Sequence, residues 1–245
     1  MLSHTFKKFE ENNVLIAFSD KKNGSTKLSS KKINTQNRNA FLQTLHINPS
    51  SVVSADLVHS NTVYIAKEQD KGNIIPVTDG LLTNRKNIFL SVTAADCLPI
   101  FLYDPQKEIV GLVHGGWRCL SQNILSHTIE KIKNIFNSDP KNIIVGIGPG
   151  IAQCHFEVTQ DFFKQFPSIP QDCIKKTENK TFIDLKSVTQ HQLISLGIPK
   201  KNIEINQECT YCLTDKYFSY RRDGYNPQTK EIDTMMAVIG INNID

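Results

Sequence analysis

The sequence predicts an α+β fold in one domain, residues 1–245, and three observations carry the prediction. Short β-branched and aromatic apolar runs recur along the chain and come in clusters. Amphipathic helical stretches interrupt them irregularly instead of alternating with them, which argues against a strict βαβ repeat. The 245 residues contain no linker, internal repeat or low-complexity tract. A domain of that length buries roughly 70–75% of its unfolded surface, enough for a core without staples.

The elements follow in order. Residues 14–18, Val-Leu-Ile-Ala-Phe, make a first strand. Residues 21–32 are rich in Lys, Ser and Gly and read as a surface loop or hairpin. Residues 35–45 have helical spacing, with Ala40, Phe41 and Leu45 on one side. Short strands at 52–58 and 62–66 flank His59, those at 87–93 and 98–103 flank Asp96-Cys97, and 109–113 delivers His114. Ser121 is the N-cap of the clearest helix. Its Ile124, Leu125, Thr128, Ile129, Ile132, Ile135 and Phe136 form one apolar stripe, and Asp139-Pro140 closes it. Residues 143–147 form a strand ended by Gly148-Pro149-Gly150. Thr159 caps a helix that runs to Phe166 and is stopped by Pro167. Asp184 caps another, with Gly197 past its end. Strands at 203–205 and 235–241 complete the chain.

Composition narrows the function classes. The chain is 39% hydrophobic and 21% charged, with a net charge of +4. That mild, scattered excess favours small anionic substrates and excludes a nucleic-acid partner. No apolar run approaches the roughly 20 residues of a membrane span. Residues 1–8 lack the apolar stretch of a signal peptide. The expected compartment is therefore the cytoplasm, where the six cysteines stay reduced.

Three segments end apolar runs with a nitrogen or sulfur donor: Val58-His59-Ser60, Ala95-Asp96-Cys97 and His114-Gly115-Gly116-Trp117-Arg118. His59, Cys97 and His114 make a His₂Cys set, and three protein ligands leave a tetrahedral ion one open position, the mark of a catalytic zinc. The spacing alone is no local metal signature; each residue alone reads more readily as a structural group, a hydrogen-bonded histidine or a small buried cysteine. Gly115-Gly116 and Arg118 read either as an anion cradle or as a tight turn beside a solvated arginine. Residues 218–224, Phe-Ser-Tyr-Arg-Arg-Asp-Gly, read either as a stacking and anion-pairing cluster or as a surface charge run. The single Cys209-Thr210-Tyr211-Cys212 lacks the second pair of a zinc ribbon, so its thiols are taken as structural.

Taken in order, Val58-His59-Ser60, Asp79-Gly80-Leu81-Leu82-Thr83, Ala95-Asp96-Cys97-Leu98-Pro99, His114-Gly115-Gly116-Trp117-Arg118, Gly146-Ile147-Gly148-Pro149-Gly150-Ile151 with Cys154 and Phe156-Glu157-Val158, and Cys209-Thr210 with residues 218–224 form a specific set. In them the chain resembles the purine nucleoside phosphorylase family also labelled polyphenol oxidase, the laccase-domain family, over roughly residues 50 to 240. The resemblance implies an α/β/β/α sandwich with mixed sheets. It also implies a zinc site on His59, Cys97 and His114, phosphorolysis of adenosine, inosine, guanosine and methylthioadenosine, adenosine deamination as a second activity, and a monomer or weak homodimer. The chain departs from the family pattern at three places. The arginine of a Thr-Arg-Gly-Gly hairpin is missing around residues 18–24, Cys119 replaces the glycine after Trp117-Arg118, and Asp233-Thr234 stands where a Gly-Arg pair is expected.

On this reading His59, Cys97 and His114 are catalytic, Asp96 orients a ligand or shuttles a proton, and Arg118 and Arg222 bind the anion. Asp79 contacts a ribose hydroxyl or steadies a ligating histidine. Copper is not expected: seven histidines without a His-x-His pair cannot build the several centres of a multicopper oxidase. Two other readings use the same residues. One is a metal-free cysteine hydrolase, an amidase on cell-wall precursors, with Cys97 as nucleophile and His114 or His59 as base. The other is a non-catalytic nucleotide-binding module, which the missing arginines favour.

Overall fold

The structure, a computed structural model, describes residues 6–28, 32–224 and 231–242. Residues 29–31 of the expected loop and residues 1–5 lie outside that set. The strands are β1 (Leu15–Phe18), β2 (Val52–Ala55), β3 (Val63–Ile65), β4 (Ile74–Ile75), β5 (Gly80–Thr83), β6 (Phe89–Ala94), β7 (Leu98–Asp104), β8 (Ile109–Gly115), β9 (Ile144–Ile147), β10 (Glu157–Val158), β11 (Ile174–Lys176), β12 (Thr181–Ile183), β13 (Ile203–Ile205) and β14 (Met235–Gly240). The helices are α1 (Lys7–Glu11), α2 (Lys32–Thr44), α3 (Trp117–Ser121), α4 (Ile124–Phe136), α5 (Gln160–Gln165), α6 (Leu185–Ser195) and α7 (Tyr220–Asp223).

Two mixed sheets stack face to face. One runs β1-β14-β6-β2-β4 and the other β13-β9-β7-β8-β5-β3, while β10-β12-β11 form a small separate sheet. Val53, Leu90, Val92, Met235 and Ile239 of the first meet Leu81, Phe101, Val110 and Leu112 of the second in a dry inner layer. The outer face of the first sheet is covered by α2 through Phe41 and Leu42. The outer face of the second is covered by α4 and α6, where Leu98, Ile100 and Val113 meet Ile124, Leu125, Ile129 and Val188. The order is therefore α/β/β/α, and the fold class is α+β. Strands with apolar residues on both faces are those buried between a helix layer and a partner sheet, so alternation is muted in β7 and β8, every residue of which is buried.

Several local expectations change. Ser121 does not cap the long helix. It is the last residue of α3, and its hydroxyl turns back to the Arg118 carbonyl at 2.9 Å. The chain breaks at Asn123, left-handed at φ 62°, before α4 begins. Asparagine tolerates that conformation at little cost. The α4 stripe stops short as well, because Ile135 is 53% exposed. Asp184 does cap α6, accepting from the Ser187 N–H at 3.1 Å. Strand β5 and the β11–β12 hairpin are additions. The first is only four residues long, and the second is built from lysine- and threonine-rich sequence with no apolar run. Among the described residues no helix is long and apolar enough to cross a membrane.

Candidate metal centre

The chain crosses repeatedly between the two stacked sheets at one end of the sandwich, and two of the crossings carry donors. Residues 56–62 lead from β2 to β3 and carry His59. Residues 95–97 lead directly from β6 to β7 and carry Cys97. Strand β8 pairs with β7 so that Leu98 faces Gly115 and Pro99 faces His114, which brings the end of β8 beside Cys97. Both crossings need sharp reversals. His59 sits at φ 60° and Asp96 at φ 85°, left-handed values that cost side-chain-bearing residues energy and gather at functional sites.

The donor atoms of His59, Cys97 and His114 lie within 4.8 Å of one another. Cys97 Sγ is 3.9 Å from His59 Nε2, and the two imidazoles meet edge to face at 4.9 Å between ring centroids. A tetrahedral ion with bonds of about 2.3 Å to sulfur and about 2.0–2.1 Å to nitrogen needs sulfur–nitrogen separations near 3.6 Å, so closing on an ion takes only a small adjustment. Gly116 adds a second test of fit. A Cβ there would stand 3.1 Å from His59 Cδ2, 3.2 Å from Cys97 Sγ and 3.4 Å from His114 Cε1. Glycine thus keeps a cradle open at the point where the three donors converge. The donors present fit a divalent ion with a free fourth position.

Asp79 organises this centre from behind and has no exposed surface. One carboxylate oxygen accepts from the His59 N–H at 3.0 Å and from His114 Nδ1 at 2.9 Å. The other accepts from the Val58 N–H at 3.2 Å, the Ser60 N–H at 2.7 Å and the Ser60 hydroxyl at 2.9 Å. Burial works to raise the Asp79 carboxyl, but the hydrogen bonds of His114 and Ser60 and the charge on His114 outweigh it and hold it at about 2. An ionised carboxylate only accepts, so His114 Nδ1 carries the proton and Nε2 is left for a metal. Asp79 thus holds the His59 backbone and the His114 ring, and its carboxylate has no exposed surface to offer a ligand in this structure.

Burial also disfavours the thiolate of Cys97, yet the charge and hydrogen bonds of His114 and His59 prevail and bring the thiol down to about 6. Correspondingly, burial works against protonation of His114, but the Cys97 thiolate and the bond to Asp79 hold it well above its ordinary value.

Two other expected site residues are occupied elsewhere. The Asp96 carboxylate accepts from the Thr210 hydroxyl at 2.6 Å, the Ser219 hydroxyl at 3.0 Å and the Arg221 N–H at 2.7 Å, and so anchors residues 210–221. The Arg222 guanidinium donates to the carbonyls of Thr210, Tyr211 and Tyr217 and to both oxygens of Asp223. All five of its N–H donors have partners, which leaves none for an anion. Arg118 differs. It is exposed, stacks 4.3 Å from the Trp117 ring, and has no acidic partner among the described residues.

Two adjoining clefts open on the centre. The larger, about 390 Å³, is lined by His59, Cys97, His114, Arg118, Lys27 and Tyr220. The smaller, about 150 Å³, shares His59, Cys97, Arg118 and Tyr220 and adds Trp117, Phe156 and Arg221. The larger lies within the size range of small-molecule sites. Lys27, Phe156, Tyr220 and Arg221 were not singled out one by one from the sequence. The pair Tyr220-Arg221 lay inside the noted basic cluster, but which arginine faces the cleft depends on the single turn of α7.

Comparison with known proteins finds similar sequences and folds over most of the chain. A family described as multi-copper polyphenol oxidoreductase laccase matches residues 18–242. The chain is 28% identical to "Purine nucleoside phosphorylase YlmD" of Bacillus subtilis over 93% of its own length and 88% of that protein. It is 32% identical to "Purine nucleoside phosphorylase RP494" of Rickettsia prowazekii over 81% of each. Among solved structures, a hypothetical protein YfiH of Bacillus licheniformis superposes with a TM-score of 0.87 at 27% identity, covering 95% of this chain and 94% of that one. YlmD of Geobacillus stearothermophilus does so with a TM-score of 0.87 at 25% identity, over 94% and 93%.

Proposed function

We propose that this chain, which belongs to the multi-copper polyphenol oxidoreductase laccase family, is a zinc-dependent purine nucleoside phosphorylase, with adenosine deamination as a second activity. The observation that carries the reading is the convergence of His59, Cys97 and His114 within 4.8 Å in the wall of a cleft that Arg118 also lines. The names of relatives such as YlmD and RP494 support the reaction class. The substrates are a nucleoside (adenosine, inosine, guanosine or methylthioadenosine) and phosphate, taken up by a cytoplasmic monomer or weak homodimer.

His59 Nε2, the Cys97 thiolate and His114 Nε2 are the ligands. When bound there, zinc supplies a Lewis acid with one open position and acidifies a bound water toward neutrality. Asp79 keeps the lone pair of His114 Nε2 directed at the cradle. Arg118, planar and without a carboxylate partner among the described residues, grips phosphate in the cleft and orients it toward C1′ of the ribose. Tyr220, 55% exposed at the edge of both clefts, offers a ring face to the purine, which leaves as C1′ accepts the phosphate oxygen. Imidazole and thiolate donors suit zinc.

Incubation with adenosine, with and without phosphate, tests the reading. Adenine and ribose 1-phosphate should form only with phosphate, and a chelator should abolish the reaction. Inosine reports the second activity. A purified protein with about one zinc at this centre should be colourless, whereas a copper thiolate would absorb in the visible. Absence of turnover on all four nucleosides overturns the proposal.

One observation favours a second reading. Cys97 at about 6, His114 and Asp79 line up as nucleophile, base and orienting acid, the arrangement of a cysteine hydrolase. Activity that survives chelation and is lost to a thiol alkylator selects it.

A further inference from the structure

A second set of soft donors lies outside the centre just described. Cys154 and His155 occupy the turn before β10, and Cys209 and Cys212 the turn after β13. A bridge between Gly150 and Cys209, with the Thr210 N–H on the Gly150 carbonyl at 3.2 Å, clamps the two turns together. Cys154 Sγ is consequently 3.7 Å from Cys209 Sγ and 3.6 Å from Cys212 Sγ. His155 Nδ1 is 3.2 Å from Cys154 Sγ and 3.3 Å from Cys212 Sγ. All four donor atoms lie within 4.8 Å of one another.

These separations are far longer than the roughly 2.05 Å of a disulfide. They approach the edges of a metal tetrahedron, where sulfur–sulfur pairs stand about 3.8 Å apart and sulfur–nitrogen pairs about 3.6 Å. The surroundings are those of metal ligands. The Ala152 N–H points at Cys209 Sγ from 3.3 Å, and the backbone of Tyr211 and Cys212 donates to the same sulfur. The His155 ring is stacked on Tyr211, 3.9 Å apart and 17° from parallel, which holds Nδ1 toward the three sulfurs.

We propose that Cys154, His155, Cys209 and Cys212 form a closed Cys₃His site for a structural zinc ion. Four protein ligands leave no position for substrate, which separates this site from the open one. Thiolates select a soft or borderline ion over magnesium or calcium. The Cys-x-x-Cys pair lacked a second pair along the sequence; the fold supplies the missing two ligands from residues 154 and 155. The site has a mechanical role. Thr210 holds Asp96 beside Cys97, and the Arg221 guanidinium rests on the carbonyls of His155 at 3.3 Å and Glu157 at 3.0 Å. An ion joining the two turns therefore braces the cleft wall made by Phe156 and Arg221.

The test is elemental analysis of the full chain, purified under reducing conditions without added metal, as wild type, Cys97→Ser, Cys154→Ser and Cys97→Ser/Cys154→Ser. The Cys97→Ser chain should retain about one equivalent of zinc, and the double variant should have none. Cobalt loaded into Cys97→Ser should give a thiolate charge-transfer band that Cys97→Ser/Cys212→Ser lacks. Cys154 and Cys212 are exposed, so serine there removes a ligand without opening the core. A metal-free Cys97→Ser chain that shows no cobalt–thiolate band overturns the proposal, as does a non-reducing peptide map of freshly purified protein that joins Cys154 to Cys209 or Cys212. The outcome is independent of nucleoside turnover, so it stands or falls apart from the proposed activity.

Discussion

Replacing Asp79 with asparagine keeps the shape of the side chain and removes only its charge and one acceptor. The five hydrogen bonds from nitrogen and hydroxyl donors divide between the two carboxylate oxygens, so the amide must fail on one side. If its nitrogen takes the outer position, it faces the Val58 and Ser60 N–H groups, donor against donor. If it takes the inner one, it donates to His114 Nδ1, forces the proton onto Nε2, and removes the lone pair a metal needs. The carboxyl at about 2, against 3.8 ordinarily, corresponds to about 2 kcal/mol of stability in the ionised form. Because the folded value is depressed, that stability is complete above the unfolded value and is lost as pH falls through about 2. Asparagine forfeits it at neutral pH. Zinc affinity, measured by competition with a chromophoric chelator, should fall about 10–100-fold, the usual effect of losing a carboxylate behind a ligating histidine. A variant that binds zinc within about twofold of wild type while remaining folded would refute the positioning role of Asp79.

Four further outcomes follow from the same geometry. Gly116→Ala places a methyl group against all three ligands and should weaken zinc binding at least about tenfold with little change in melting temperature; unchanged binding would show that the cradle is not the ion's seat. In metal-free protein, alkylation of Cys97 should follow a thiolate midpoint near 6, fast above it and slowing as pH falls through it, with Cys97→Ser as the blank. Since His114 is held above its ordinary value, zinc binding to the His59–Cys97–His114 site at pH 7 should release about one proton, read by calorimetry on a Cys154→Ser/Cys212→Ser chain in buffers of different ionisation enthalpy. Arg118→Ala should raise the KM for phosphate by about 10–100-fold with the melting temperature unchanged, whereas Arg222→Ala should lower the melting temperature because it strands the carbonyls of Thr210, Tyr211 and Tyr217.

The sequence by itself determined where the strands run and which donors end them. Apolar β-branched runs mark β1, β6, β7, β8, β9 and β14, because a strand buried between layers needs such residues regardless of its neighbours. His59, Cys97 and His114 were legible for the same reason, each ending a run. Short or polar elements such as β5 and the β11–β12 hairpin carry no such mark, since their pairing is imposed by adjacent strands. Only the tertiary structure decided what the other polar residues do. The Asp96 carboxylate is taken up by Thr210, Ser219 and the Arg221 N–H while the next residue, Cys97, lines both clefts, and Asp79 is buried behind the two histidines, bonded to the His59 N–H and the His114 ring. Adjacent arginines likewise diverge, with Arg222 spent on backbone carbonyls and Arg221 lining the cleft. The Cys154–His155 and Cys209–Cys212 pairs meet only because a bridge at Gly150 joins two distant turns. Direction and partnership of a polar side chain are set by contacts across the chain, and those contacts exist only once the layers have stacked.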